Sequence, residues 1–191
     1  MFVFGHLGIG SKLVSPWSSG LPRRAILVGT ILPDLIDKPL YLILTLATGK
    51  RGAELGLISG TRTLGHTAIL LLLLAASAII RRSKVLAALA LGMATHLFLD
   101  NLSDHFLPVG HEPSALIAMT WPISSWSFQA MTPTAAGFIA GFTPVIVGGE
   151  VVGLALLAWD QWKLAHEGEI LEATQVRRRF FKRVKKARKT R

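Results

Sequence analysis

Residues 62–104 read RTLGHTAILLLLLAASAIIRRSKVLAALALGMATHLFLDNLSD, and this stretch decides the fold. Leu64 to Ile80 is almost wholly apolar and stops at Arg81-Arg82-Ser83-Lys84; Val85 to Leu102 follows at once. A membrane-crossing helix needs about 20 apolar residues, with a lower limit near 17. Two such runs back to back leave no polar face for water, which predicts a hairpin of membrane helices rather than a soluble bundle with an apolar core. Thr134 to Trp159 is longer, is interrupted only by Glu150, and predicts a third span. Ala25 to Leu46 is also apolar, but Leu32-Pro33-Asp34-Leu35-Ile36-Asp37-Lys38-Pro39 breaks it. Prolines and acids so close together are costly in lipid unless the break lines a cavity, so this arm predicts two short helices meeting at a turn. The predicted fold is all-α: a multi-pass membrane helical bundle of three full spans, with an N-terminal helix, a broken helix and a basic C-terminal tail.

The connections and charges fit that plan. Gly49 to Thr63 is glycine-rich and predicts a loop or interfacial piece, and Asn101 to Pro133 is the longest polar connection. Trp121 and Trp126 in that connection suit the headgroup level. The chain of 191 residues carries a formal charge of +10, the balance a nucleic-acid binder would show. Its distribution argues against that reading for the body, because ten Lys or Arg and no acid fall between Arg177 and Arg191, leaving eleven of each sign elsewhere. The domain plan is therefore a membrane-embedded body, 1–170, and a basic tail, 171–191. Met1 to Val14 lacks a charged start and a small-residue cleavage site, so no cleavable signal peptide is expected. Cytoplasmic loops gather Lys and Arg, which places Arg81 to Lys84 and the tail in the cytoplasm. Arg23 and Arg24 agree, sending the first half of the broken helix outward and carrying Asp34 with it.

The ionisable residues inside this apolar body carry the chemistry. His96 and Asp100 are four apart on one helix and point from one face, where they could share a metal or simply hydrogen-bond each other. Asp104 continues the stripe if the helix runs one turn further. His66 and Asp100 are equally far from the Arg82–Ser83 turn, and His96 is one helical turn nearer, so all three lie at similar depth. At about 1.5 Å per residue that depth is about 17–23 Å from the turn, in the outer half of a core about 30 Å thick. Asp34 approaches the same side. Ionisable groups so deep usually face the bundle interior with a partner. The chain has no cysteine, so thiolate sites are excluded, and the set suggests a cation such as zinc or another divalent ion. His6 fits equally a tightly packed N-terminal helix. His105 and His111 stay open as ligands or loop residues, and His166 with Glu167 is expected to be solvated. Glu150 stays open between a functional acid and an acceptor for neighbouring backbone.

The order His6, Leu32-Pro33-Asp34, Arg62-x-x-x-His66-Thr67, His96-Leu97-Phe98-Leu99-Asp100 and Trp121-Pro122 resembles the bacterial inner-membrane metal-dependent hydrolase family of the LexA-regulated type. The resemblance covers residues 1 to about 126. The pattern is also similar to that of zinc-dependent phospholipase C and related nucleases, which cleave phosphoesters. It implies metal roles for His6, Asp34, His66, His96 and Asp100. The chain departs from the family pattern at Thr61-Arg62-Thr63 in place of His-Arg-Gly, at Gly65-His66-Thr67 in place of Thr-His-Ser, and at Asp37-Lys38 in place of Asp-His.

The expected function is that of a membrane-embedded metal-dependent hydrolase acting on a phosphoester such as a phospholipid headgroup, in the inner (cytoplasmic) membrane with its site toward the outer side. His66, His96 and Asp100 are the expected ligands, Asp34 a ligand or general base, and Arg62 a phosphate-holding fork. The rival is a non-enzymatic membrane protein, a small ion transporter or scaffold with a structural metal site. The tail interleaves Phe180 and Phe181 with its basic run, which suits a helix on anionic lipid.

Overall fold

The computed structural model describes residues 3–106, 114–130 and 144–189, with side chains to residue 166, and every regular element among them is helical. Residues 3–13 form an N-terminal helix, α1, in three parts: Val3–Gly5 is α-helical, His6–Gly10 takes π geometry, and Ser11–Leu13 returns to α. The other helices are α2 (Arg23–Gly29), α3 (Leu32–Thr48), α4 (Ala68–Ile80), α5 (Lys84–His105), α6 (Ser114–Thr120) and α7 (Pro144–Lys189).

The hairpin expected from residues 62–104 is present as α4 and α5, which pack on one another. Ser83 caps α5 by accepting from the Leu86 N–H, the role for which a serine at that position is favoured. The helix continues to His105 and so carries Asp104, the extra turn left open by the sequence. The first arm is shorter than expected. Leu64–His66 forms a separate 3₁₀ turn, Thr67 is extended, and its hydroxyl caps a helix of 13 residues. That helix is about 20 Å long and falls short of a core about 30 Å thick. Among the described residues two helices are long and apolar enough to cross a membrane, Lys84–His105 and Pro144–His166, so the full span expected at 64–80 is not found there. The first part of the predicted third span, 134–143, lies outside the described residues.

The broken arm also differs in detail. Its break falls at Thr30 and Ile31, and Pro33 sits in the first turn of α3. A proline there loses no helical hydrogen bond, so it starts a helix instead of ending one. Asp34 and Asp37 are consequently on α3 itself. The helix stops at Gly49, whose φ of 69° closes the last turn.

Two close backbone contacts hold these pieces together. On Gly29 of α2 a Cβ would stand 2.4 Å from the Leu89 carbonyl oxygen of α5, and on Gly92 it would stand 2.4 Å from that of Ile26. On Gly8 of α1 it would stand 2.0 Å from the Gly153 carbonyl oxygen of α7, and on Gly153 2.1 Å from that of Phe4. No larger residue fits at either crossing, and small residues of this kind let membrane helices approach closely. The interior so enclosed is unusually polar. His6, Thr30, Asp37, Thr63 and His96 are each 0% exposed, whereas Leu46, Ile79 and Ile80 are over three-quarters exposed. Only 11% of the apolar window of α7 is buried. A soluble core helix would hide its apolar residues, and this distribution is the reverse.

Candidate metal centre

The centre is assembled by four segments. The π turn of α1 brings His6, α3 brings Asp34, the 3₁₀ turn before α4 brings His66, and α5 brings His96 and Asp100. Their ligand atoms form two overlapping groups, His6 with His96 and Asp100, and Asp34 with His66 and His96, each group lying within 4.8 Å. All five residues expected to ligate metal are thus brought together, and the two groups can hold a metal ion.

The hydrogen bonds fix which atoms face inward. His96 Nδ1 is 2.8 Å from the Thr30 carbonyl oxygen. A carbonyl can only accept, so Nδ1 carries the proton and the Nε2 of a neutral ring presents its lone pair. His66 Nδ1 is 2.7 Å from Asp37 Oδ2. Asp37 also accepts from the Thr63 and Gly65 backbone N–H groups, at 2.7 and 2.8 Å, so it acts as an ionised acceptor. His66 Nε2 is therefore also a lone pair in the neutral ring. The two Nε2 atoms stand 3.2 Å apart. Lone pairs facing at that distance repel unless a cation or a proton lies between them. Ligands at about 2.0–2.2 Å from one tetrahedral ion stand about 3.3–3.6 Å from each other.

The carboxylates complete the set. Asp100 Oδ2 is 3.6 Å from His66 Nε2 and 3.7 Å from His96 Nε2, and Asp34 Oδ1 is 3.7 Å from His66 Nε2. These separations are too long for hydrogen bonds and suit ligands around a shared ion. Asp100 Oδ1 lies 3.2 Å from His6 Nε2, yet neither buried ring nitrogen of His6 has a hydrogen-bond partner. The His6 ring stacks on His96 at 3.9 Å between centroids. A buried imidazole whose ring nitrogens have only this ion-pair contact with Asp100 keeps a lone pair available for an ion. Imidazole and carboxylate without thiolate fit a borderline or hard divalent ion.

Arg62 belongs to the centre through Asp100. Its Nε lies 3.1 Å from Asp100 Oδ2, and its Nη1 lies 2.7 Å from Asp104 Oδ1 and 2.8 Å from Ser114 Oγ. Burial disfavours its charge, but Asp100 and Asp104 outweigh that and raise its pKa above the usual arginine value. The fork is turned toward protein carboxylates. Asp104 joins no ligand group and instead anchors α6 by accepting from the Ala115 N–H at 2.9 Å.

The remaining candidates lie elsewhere. Glu150 accepts from the Phe4 and Gly5 N–H groups, each at 2.9 Å, which settles it as a backbone acceptor. His105 ends α5 with its ring against Phe106, and His166 packs its Nδ1 on the Trp162 carbonyl at 3.0 Å. His111 lies outside the described residues. Two contributors were missed from the sequence. The Thr30 carbonyl has no sequence signal, whereas Asp37 had one, since it follows Asp34 by three residues and shares its helix face. Comparison of the chain with protein-family models, with curated proteins and with solved structures finds no match.

Proposed function

We propose that the protein is a membrane-embedded, metal-dependent hydrolase of a phosphoester, with a phospholipid headgroup as the substrate class and zinc as the metal. The observation that carries this reading is the facing pair of Nε2 atoms on His66 and His96, each ring locked from behind through Nδ1. Backing of this kind is how metal-ligating histidines are oriented and made more basic. The resemblance of the His, Asp, His and His-x-x-x-Asp order to phosphoester-cleaving zinc enzymes supports the choice of reaction. The Arg81–Lys84 turn and the basic tail support a cytoplasmic placement for that end of the bundle, with the centre toward the outer side.

A bound divalent ion supplies Lewis acidity and an activated water. The protein's own residues divide the other tasks. His66, His96, Asp100 and His6 would hold the ion. Arg62 holds Asp100 so that its Oδ2 stays directed at the two imidazoles. Asp34, as a ligand or as the general base, is the least buried of the five, with its side chain 13% exposed and its Oδ2 on Lys38 at 2.6 Å. It can take the proton from an attacking water while Lys38 holds it in place.

Elemental analysis of the detergent-purified protein, followed by phosphodiester turnover with and without chelator, tests the reading. The expected result is bound divalent metal and turnover that chelation abolishes, with both lost in His96→Ala, Asp100→Ala. A wild-type protein free of metal ends the proposal. Metal without turnover assigns the centre to a structural role.

A further inference from the structure

Apart from the metal centre, a cavity with charged side chains in a largely apolar wall lies between α1, α2 and α7. Its volume is about 220 Å³, and Lys12, Ser15, Ser18, Arg23, Ile26 and Asp160 line it. A Cβ on Gly20 would stand 3.8 Å from Lys84 Nζ, which puts the loop before α2 at the Lys84 end of α5. His96 is twelve residues further along that helix, about 18 Å away. The cavity is therefore at the end that carries Arg81, Arg82 and Lys84.

Its charges are unbalanced. Lys12 Nζ and Arg23 Nη2 both bind one carboxylate, Asp160, the latter at 2.9 Å. Two cations against one anion leave a net positive charge in a recess. An ammonium has three donors and a guanidinium five, so one carboxylate cannot satisfy them. The Lys12 and Arg23 side chains are 39% and 40% exposed, so their remaining donors are reachable. Ser15 and Ser18 also line the cavity, with Ser18 Oγ donating to the Ser15 carbonyl at 3.0 Å, and the buried Ile26 gives it an apolar floor. A basic recess with an apolar floor, beside a helix long and apolar enough to span a membrane, resembles the basic pockets that take anionic lipid headgroups.

We infer that this cavity binds a phosphate-bearing anion, held by Lys12 and Arg23 in competition with Asp160. The site is independent of the metal centre and of the reaction proposed there. A lipid phosphate and free phosphate share the chemistry. The lipid accounts for the apolar floor as well.

The full chain in detergent, titrated with phosphatidylglycerol, phosphatidylcholine and inorganic phosphate and followed by native mass spectrometry and thermal shift, tests this. Phosphatidylglycerol is expected to bind in preference to phosphatidylcholine, and K12Q/R23Q to weaken it by at least about tenfold, the effect of losing charge-assisted contacts. Asp160→Asn is expected to tighten binding several-fold, because it removes the competing carboxylate. That opposite sign separates a binding site from a mere staple between helices, in which all three substitutions would act alike. Competition by millimolar inorganic phosphate assigns the site to the anion itself; lipid binding without it assigns the site to the headgroup. No binding of either, or weaker binding in Asp160→Asn, overturns the inference.

Discussion

His66 and His96 meet at 3.2 Å through Nε2 while each keeps Nδ1 on a fixed acceptor, Asp37 for one and the Thr30 carbonyl for the other. Neither ring can turn away without abandoning its acceptor. The acceptors behind the rings therefore set how the two Nε2 atoms converge, and the metal reading has direct consequences for those residues.

Asp37→Asn keeps the shape of the side chain but puts an amide NH₂ where backbone N–H groups already point. At least one of the three hydrogen bonds made by Asp37 is lost, and His66 loses its charged backing. Metal affinity is expected to fall about 10–100-fold, with a stability loss of about 1–3 kcal/mol from the unsatisfied buried group. Chelator competition and thermal unfolding read the two effects. Unchanged affinity in a folded variant would show that Asp37 does not orient a ligand.

Arg62→Ala leaves Asp100 and Asp104 buried without their cation, and truncating one partner of a buried pair costs about 3–5 kcal/mol. Arg62→Lys restores the charge but not the fork that reaches Asp100, Asp104 and Ser114 together, so rescue is expected to be partial. If Arg62 instead served substrate phosphate alone, Arg62→Ala would raise KM and leave bound metal intact. Measuring metal content beside KM and kcat separates the two.

Gly148 and Gly153 are five residues apart on α7 and should respond oppositely to alanine. At Gly148 a Cβ meets nothing within 4 Å, so Gly148→Ala is expected to be neutral or to stabilise by up to about 1 kcal/mol. At Gly153 a Cβ would strike the Phe4 carbonyl, so Gly153→Ala must push α1 off α7 at a cost of about 1–3 kcal/mol or more. The displacement also pulls Phe4 and Gly5 from Glu150, and metal affinity should fall through His6. Denaturation midpoints and metal titration of both variants check the contrast. Equal effects at the two glycines would rule out the close crossing.

The hairpin and its ligands were legible because helical spacing and distance from a turn are properties of sequence alone. His96 and Asp100 share a helix face, and His66 is level with them across the turn. Asp104, one turn beyond Asp100, showed the same spacing, and its pairing with Arg62 could have been read from it. The shortened α4 was not legible, because its limit is set by Asp37 gripping the Thr63 and Gly65 N–H groups from another helix. The Thr30 acceptor was hidden for a related reason, since every residue carries a carbonyl. His6 was weighted only through resemblance, as nothing in Phe4-Gly5-His6-Leu7-Gly8 says what the helix packs against.

The contact between Gly8 and Gly153 also sets a timetable. His6 precedes, along the chain, the helix α7 that packs against its own helix. Until α7 has been made, α1 can lean only on α5 and α2, through His96, Thr95 and Thr30, and Glu150 cannot hold its first turn. The Glu150 and Gly153 contacts of α1 therefore form only after the segments carrying the other four candidate ligands have been made, which would tie any loading of an ion through His6 to the docking of α7.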